Sequence, residues 1–295
     1  MMLSVTVVVT APHGTGEMGP LLTVLRDELG PGDRLIVLDG RDDGPPLDPA
    51  TVPKVDVFEQ VWGAGESAIH MRCRLRTLAD RDITILFEDH AVPGPRFVSE
   101  VRRLLAADPT LVGFKILGRN DMSSEPWGWA NFLIAFAGCI HPVTEMPPAT
   151  LLSTSAALRT MALASAPQTL GAWETQFMPG LNREPRLLAF SNDVWIYHVE
   201  HSSMKLALQR HFHNQRAIAA VRVANGHRRG KLSVRAFKDL GLRRPRQIRL
   251  ALAGRDEYRH FVANRWKIVV ICWAATVGAI VGAWFGANNS MRKMH

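Results

Sequence analysis

Cysteine is scarce in this chain, with three residues among 295. Cys73, Cys139 and Cys272 lie far apart, are odd in number and form no CxxC pair. That excludes a disulfide framework and a cysteine-based zinc site, and it fits a reducing cytosol. A basic n-region is missing from the start, where Met1-Met2-Leu3-Ser4 runs straight into Val5–Val9, so no secretory signal is expected. There is no internal repeat. Acidic residues almost vanish over one stretch: between Lys205 and Lys267 seventeen Lys/Arg face only Asp239, Asp256 and Glu257, a net of +14. The remainder holds eighteen basic and twenty-four acidic residues, a net of −6. The overall +8 therefore conceals an acidic body followed by a basic segment.

Long apolar runs are equally rare. Residues 127–142 are apolar but too short to span a bilayer. Ile268 to Ala287 is different: twenty residues with no charge and no proline, bounded by Arg265 and Lys267 on one side and Arg292 and Lys293 on the other. That length crosses a bilayer as a helix, and the basic flanks favour a membrane segment over a buried core helix. The basic block then reads as a collar for an anionic membrane, each Lys/Arg contributing on the order of 1 kcal/mol, and no nucleic acid partner is expected. The heavier basic flank precedes the span, which predicts a single-pass protein of the cell membrane with its large domain cytoplasmic. Ala274, Gly278, Gly282 and Gly286 recur every four residues and form a smooth stripe, which predicts a homo-oligomer or a partner helix.

The body alternates strands and helices. Val5–Thr10, Arg34–Leu38, Ile83–Phe87, Val112–Leu117 and Asp193–His198 read as strands. Residues 20–29, Glu66–Leu78, Ser99–Ala106, Leu151–Ala164 and Met204–Ala224 read as helices, with a proline-rich loop over 44–53. Short amphipathic helices are expected from Leu232 to Trp266. The pattern predicts an α/β fold with a mostly parallel sheet and helices on both faces.

The chemistry concentrates where Ile83–Phe87 empties into Glu88-Asp89-His90 and then Ala91-Val92-Pro93-Gly94-Pro95. The run has the length and β-branched content of a strand buried on both faces, and the prolines force a loop. Three potential metal ligands thus sit at the carboxyl end of a strand, where open α/β sheets bind ligands. A hard cation held there could bridge nucleotide phosphates, while an ordinary acidic turn is the plain alternative. Gly14-Thr15-Gly16-Glu17-Met18-Gly19 spells a dinucleotide fingerprint with Asp39 twenty residues on. Ala11-Pro12-His13 intervene after the strand and Pro20 interrupts the helix start, so a NAD-dependent oxidoreductase is the lesser reading.

Together these motifs resemble a family 2-like glycosyltransferase of the GT-A fold with a C-terminal membrane anchor, over about residues 4–222. Val7-Val8-Val9-Thr10-Ala11-Pro12 is similar to the opening strand that ends against the nucleotide base, involving Ala11 and Pro12. Val37-Leu38-Asp39-Gly40 resembles the Val-Asp-Asp-Gly stretch, with Asp39 on the base. Arg72 stands seven residues before Ala79, as does the arginine of the family's Ala-Arg-Asn stretch. Glu88-Asp89-His90 takes the place of the usual Asp-x-Asp triplet, Glu88 near the ribose and His90 on the metal, with Asp89 a further donor. The imidazole shifts preference from Mg²⁺ towards Mn²⁺.

Gly171-Ala172-Trp173-Glu174 resembles the stretch that supplies the general base, which makes Glu174 the catalytic residue. His201 matches a late metal or phosphate contact, and Arg216 lies in the later basic helix near the donor phosphates. The resemblance implies a GT-A catalytic domain over 1–203, basic interfacial helices over 204–266, a transmembrane helix over 267–287 and a short tail over 288–295. It implies an inverting transfer from a nucleotide-sugar donor, UDP-linked by default, to a lipid-linked or membrane-proximal acceptor. A GT-A-like binding or scaffold protein without turnover is the alternative.

Overall fold

The structure is a computed structural model that describes residues 2–11, 18–40, 47, 50, 52–62, 68–120, 126–143, 156–166, 168–171, 173–184, 187–198 and 203–293. The chain begins with β1 (Val5–Ala11), α1 (Gly19–Glu28), β2 (Arg34–Asp39) and β3 (Val57–Trp62). Helices α2 (Ala68–Arg72) and α3 (Leu75–Leu78) precede β4 (Ile83–Glu88), β5 (Ala91–Pro93) and α4 (Phe97–Ala107). Then come β6 (Gly113–Lys115), β7 (Leu117–Arg119), α5 (Gly128–Phe136) and β8 (Ala156–Arg159). A π-helical turn, Trp173–Phe177, leads into α6 (Met178–Leu181), β9 (Leu188–Ala189) and β10 (Trp195–His198). The C-terminal part is helical: α7 (Met204–Ala224), α8 (Arg229–Ala236), a π-helical Phe237–Arg243, α9 (Arg244–Ala251) and α10 (Tyr258–Phe285).

Two compact units result. The first comprises Met1–Arg119, Cys139–Met146 and Ser153–His198. Its main sheet has the order β3-β2-β1-β4-β8-β6-β9, parallel from β3 to β4 and antiparallel on both sides of β8. Strands β1 and β4 are central and rich in β-branched and apolar residues because both their faces are covered, with Thr6, Thr10 and Thr84 buried among them. Helix α1 starts with Pro20 in its first turn and buries Leu21, Leu22 and Leu25. It is followed by a turn in which Gly32 takes φ 93°, a conformation that favours glycine. The Glu28 carboxylate accepts from the backbone N–H groups of Phe97, Val98 and Ser99, capping α4 where its own Arg96 offers no side-chain cap.

Three sequence expectations need correction here, and one strand, β3, was not anticipated. The single strand expected over Val112–Leu117 is two: β6 stays in the main sheet, while β7 joins a second sheet ordered β5-β10-β7. The switch comes at Ile116, after which the Leu117 N–H donates to Val194 O. Leu151–Ala164 is not a helix where described. Ala156–Arg159 is a strand and Thr160–Ser165 a 3₁₀ helix, because burial between β4 and β6 overrides the helical preference of alanine. The helix expected over Glu66–Leu78 breaks at Cys73-Arg74, and strand β3 emerges after the expected proline-rich loop.

The second unit comprises Asn120–Gly138, Pro147–Leu152 and Val199–His295. Helix α10 is long and apolar enough to cross a membrane by length and composition, and half of its most apolar window is buried against its own chain. Its glycine stripe is already occupied. A Cβ on Gly278 would overlap the carbonyl of Phe212, and one on Gly282 that of Arg216, so the backbones of α10 and α7 touch. The partner helix anticipated for Gly278 and Gly282 is therefore α7 of the same chain, and these glycines do not offer a face for a homo-oligomer. Gly286 serves differently: it ends α10 at φ 74° with open space around it. Trp127 and Trp129 pack inside this unit, the first edge-on to Trp266 and the second stacked on His260 at 3.7 Å.

Candidate active site

In the first unit, the carboxyl ends of β2, β1 and β4 lie side by side. The parallel register sets Ala11 against Asp39 and Thr10 against Glu88, and the Asp89 N–H donates to Thr10 O at 3.1 Å. This is the edge at which an open α/β sheet receives ligands. Asp39 is fully buried and accepts from Gln60 Nε2 at 3.1 Å. Gln60 also accepts from the Leu47 N–H, which ties β3 to the loop beyond β2. The sequence reading missed Gln60 together with its strand.

Glu88 is the hub. One carboxylate oxygen, Oε1, accepts from Arg72 Nη2 at 2.7 Å. The other, Oε2, lies 3.3 Å from both His90 Nε2 and His198 Nε2. Burial acts to raise the Glu88 pKa. The hydrogen bond from His198 and the charges of His90, Arg72 and His198 outweigh it and hold the carboxyl well below the usual range. Asp89 is turned towards its neighbour, with Oδ1 2.8 Å from His90 Nδ1. A carboxylate on Nδ1 leaves Nε2 as the free nitrogen of that ring.

Arg72 carries two carboxylates. Its Nη1 donates to Glu174 Oε1 at 2.9 Å while Nη2 holds Glu88. The Arg72 and Glu174 side chains are only 10% and 7% exposed. Burial works against the guanidinium charge, but Glu174 and Glu88 together raise its pKa. Glu174 sits in the π-helical turn, and its second oxygen, Oε2, is buried without a hydrogen-bond partner among the described residues. One oxygen is pinned and the other keeps its lone pairs open.

Glu88, His90 and His198 each bring a ligand atom within 4.8 Å of the others, and among the described residues they are the cluster suited to a metal ion. The donor set fits a divalent cation. One carboxylate oxygen and two imidazole nitrogens suit Mn²⁺ better than Mg²⁺, and His90 Nε2 is buried with no hydrogen bond among the described residues. His198 was not a sequence candidate, although its strand was anticipated.

Pro12 and His201 lie outside the described residues, as does most of the Gly14–Gly19 fingerprint. Arg216 belongs to the second unit, where Nε donates to Gly286 O at 2.9 Å.

No protein-family model and no curated protein sequence matches the chain. Solved structures do. The mannosyltransferase PcManGT from Pyrobaculum calidifontis, in complex with GDP-Man and Mn²⁺, aligns with a TM-score of 0.51 at 17% identity, over 97% of this chain and 88% of that one. S. aureus TarS 1–349 in complex with UDP gives 0.48 at 14% identity, over 99% and 93%. The first likeness establishes a shared fold.

Proposed function

We propose that this chain is a metal-dependent glycosyltransferase, family 2-like, that moves a sugar from a nucleotide-sugar donor to a membrane-proximal acceptor. The observation that carries the reading is the joining of Glu88, His90 and His198 to Glu174 through one buried arginine, Arg72, at the ligand-binding edge of the sheet. Glu88, His90 and His198 would hold Mn²⁺ or Mg²⁺, with Asp89 orienting His90. The bound cation supplies neutralisation of a diphosphate leaving group. Asp39 and Ala11 flank the place for the nucleoside. Glu174 Oε2 would take the proton from the acceptor hydroxyl as it attacks, giving inversion in a single displacement. A carboxylate oxygen buried at the ligand-binding edge without a partner among the described residues is placed to meet an acceptor hydroxyl, which favours turnover over a scaffold role.

UDP is the default nucleotide, and PcManGT and TarS were solved with GDP-Man and UDP respectively. The roles of Pro12, His201 and Arg216 rest on sequence motifs alone. The basic C-terminal unit, with the long apolar α10, would keep the enzyme at the cytoplasmic face of the cell membrane, beside a lipid-linked acceptor. Calorimetry with Mn²⁺ and UDP is the direct test. Heat of binding that disappears in Glu88→Ala is expected; no heat with any nucleotide diphosphate would overturn the reading.

A further inference from the structure

We infer that the second unit rests on an anionic membrane surface with α10 lying along the bilayer, not through it. This deepens the proposed function and rests on it for its purpose, since it states how the second unit holds to the membrane of the acceptor.

The first observation is what α10 is packed against. Its apolar window is centred near Val277, and there the backbone contacts of Gly278 and Gly282 clamp α7 to it. Helix α7 carries Arg210 and Arg216 within a turn of those contacts. On another side, Gly241 of the π-helical segment sits against Thr276 and Trp273, at the same level. Two residues away, Asp239 pairs with Arg235 at 3.2 Å and Arg243 at 3.1 Å, all three exposed or half-exposed. A crossing helix would carry this triad and the α7 arginines into hydrocarbon, where charged side chains are most costly.

The second observation is the face that the chain leaves uncovered. Val262, Trp266, Val269, Trp273, Val277 and Trp284 are exposed and recur at three- and four-residue steps, the last two separated by two turns. The stripe is about 33 Å long at 1.5 Å per residue. Phe237 extends it sideways, edge-on to Trp273 at 5.4 Å, and Trp284 is fixed by donating from Nε1 to Ser233 Oγ. Tryptophan belongs at the headgroup level. A spanning helix would leave Trp273 deep in the hydrocarbon, whereas an in-plane helix keeps all three tryptophans at one depth. Exposed Arg259, Arg265, Lys238 and Arg243 rim the stripe, and this charge selects an anionic lipid surface as the occupant.

Topology and lipid dependence decide it. Arg259→Cys and Asn289→Cys, each in a Cys73→Ser background of the full chain, would be labelled in inverted bacterial membrane vesicles with an impermeant maleimide. Both ends of α10 are expected to label without detergent; an Asn289→Cys that labels only after detergent would establish a crossing and overturn the inference. Purified protein should sediment with vesicles of phosphatidylglycerol and phosphatidylcholine. Retention should fall about tenfold or more with phosphatidylcholine alone, and likewise in Trp266→Ser/Trp273→Ser/Val277→Ser. Parent protein that stays in the supernatant with both vesicles, or a doubled mass in solution with no lipid binding, would also overturn it. Neither readout depends on metal, nucleotide or turnover, so failure here is separable from failure of the enzymatic reading.

Discussion

His198 pairs with Ala91 across the antiparallel β10–β5 ladder, and that register brings its ring edge-on to His90, with centroids 4.5 Å apart. Strand β5 starts one residue after His90, so the ladder and the Glu88-Asp89-His90 triplet are a single construction. A candidate ligand from the far end of the unit is thereby delivered by backbone pairing. His198→Ala should weaken Mn²⁺ binding by at least about tenfold, the usual scale for losing even an outer partner of a metal site. Titration calorimetry with Mn²⁺ checks it. Unchanged affinity would remove His198 from the ligand set.

Asp89 tests the adjoining link. Its carboxylate holds His90 Nδ1 at 2.8 Å and so presents Nε2 towards Glu88. Asp89→Asn keeps the shape but loses the charge that favours this tautomer. Mn²⁺ affinity is expected to drop about 10–100-fold, with the metal-free melting temperature nearly unchanged. A loss no greater than twofold would mean that His90 is oriented by other groups.

Arg72 separates stability from chemistry. Arg72→Ala leaves the buried Glu174 carboxylate without its counter-ion and Glu88 with only His90 and His198 beside it, a change that typically costs about 3–5 kcal/mol. Denaturant unfolding should register a loss of that order. Glu174→Gln keeps a partner for Arg72 and should leave stability and Mn²⁺–UDP heat intact. Sugar transfer should nevertheless fall about 10²–10⁴-fold, the range for a lost general base. Full transfer activity in Glu174→Gln would reassign the base.

Much of this site is readable before folding, and the unread part has a physical reason. Ile83–Phe87 announces itself as a doubly covered strand, so Glu88 and His90 fall at its carboxyl end by arithmetic alone. Asp39 follows from the same logic one strand over. His198 does not, because its nearness depends on pairing between strands of three and four residues, too short for periodicity to signal. Gln60 escapes because β3 follows a proline-rich stretch and carries Glu59 and Gln60 in its middle. The Ala-Ala-Leu of β8 reads as helix until neighbours on both sides claim it. The glycine stripe on α10 is legible as a packing face, yet its partner lies some sixty residues back in the same chain, a distance that no local pattern reports.

The α7–α10 contact makes a prediction opposite to the one that self-association would make. Gly282→Leu places a branched side chain where the Arg216 carbonyl already stands, so the two helices must separate. Overpacking of this kind costs about 1–3 kcal/mol and here forces backbone apart, so the upper end is expected. Thermal unfolding should show the second unit destabilised. The oligomer size by light scattering should be the same for parent and variant. A change in oligomer size at unaltered stability would return the stripe to an intermolecular role.

Lys115 offers a pH test free of the metal site. Its side chain is fully inaccessible in β6, and burial pushes its pKa down to about 8, with Cys139 opposing the shift weakly. A folded-state value below the unfolded one, near 10.4, means that the unfolded chain binds more protons between those limits. Stability contributed by this residue therefore rises with pH through that window, and the charged form is a burden below it. Lys115→Met, close in volume, removes this titration, so the stability difference between variant and parent should move in the parent's favour by up to about 3 kcal/mol as pH rises. The change should begin near pH 8 and be complete near pH 10.4. Paired urea titrations of the two proteins across that range would measure it, and a gap that stays constant with pH would show that Lys115 keeps its proton in the fold.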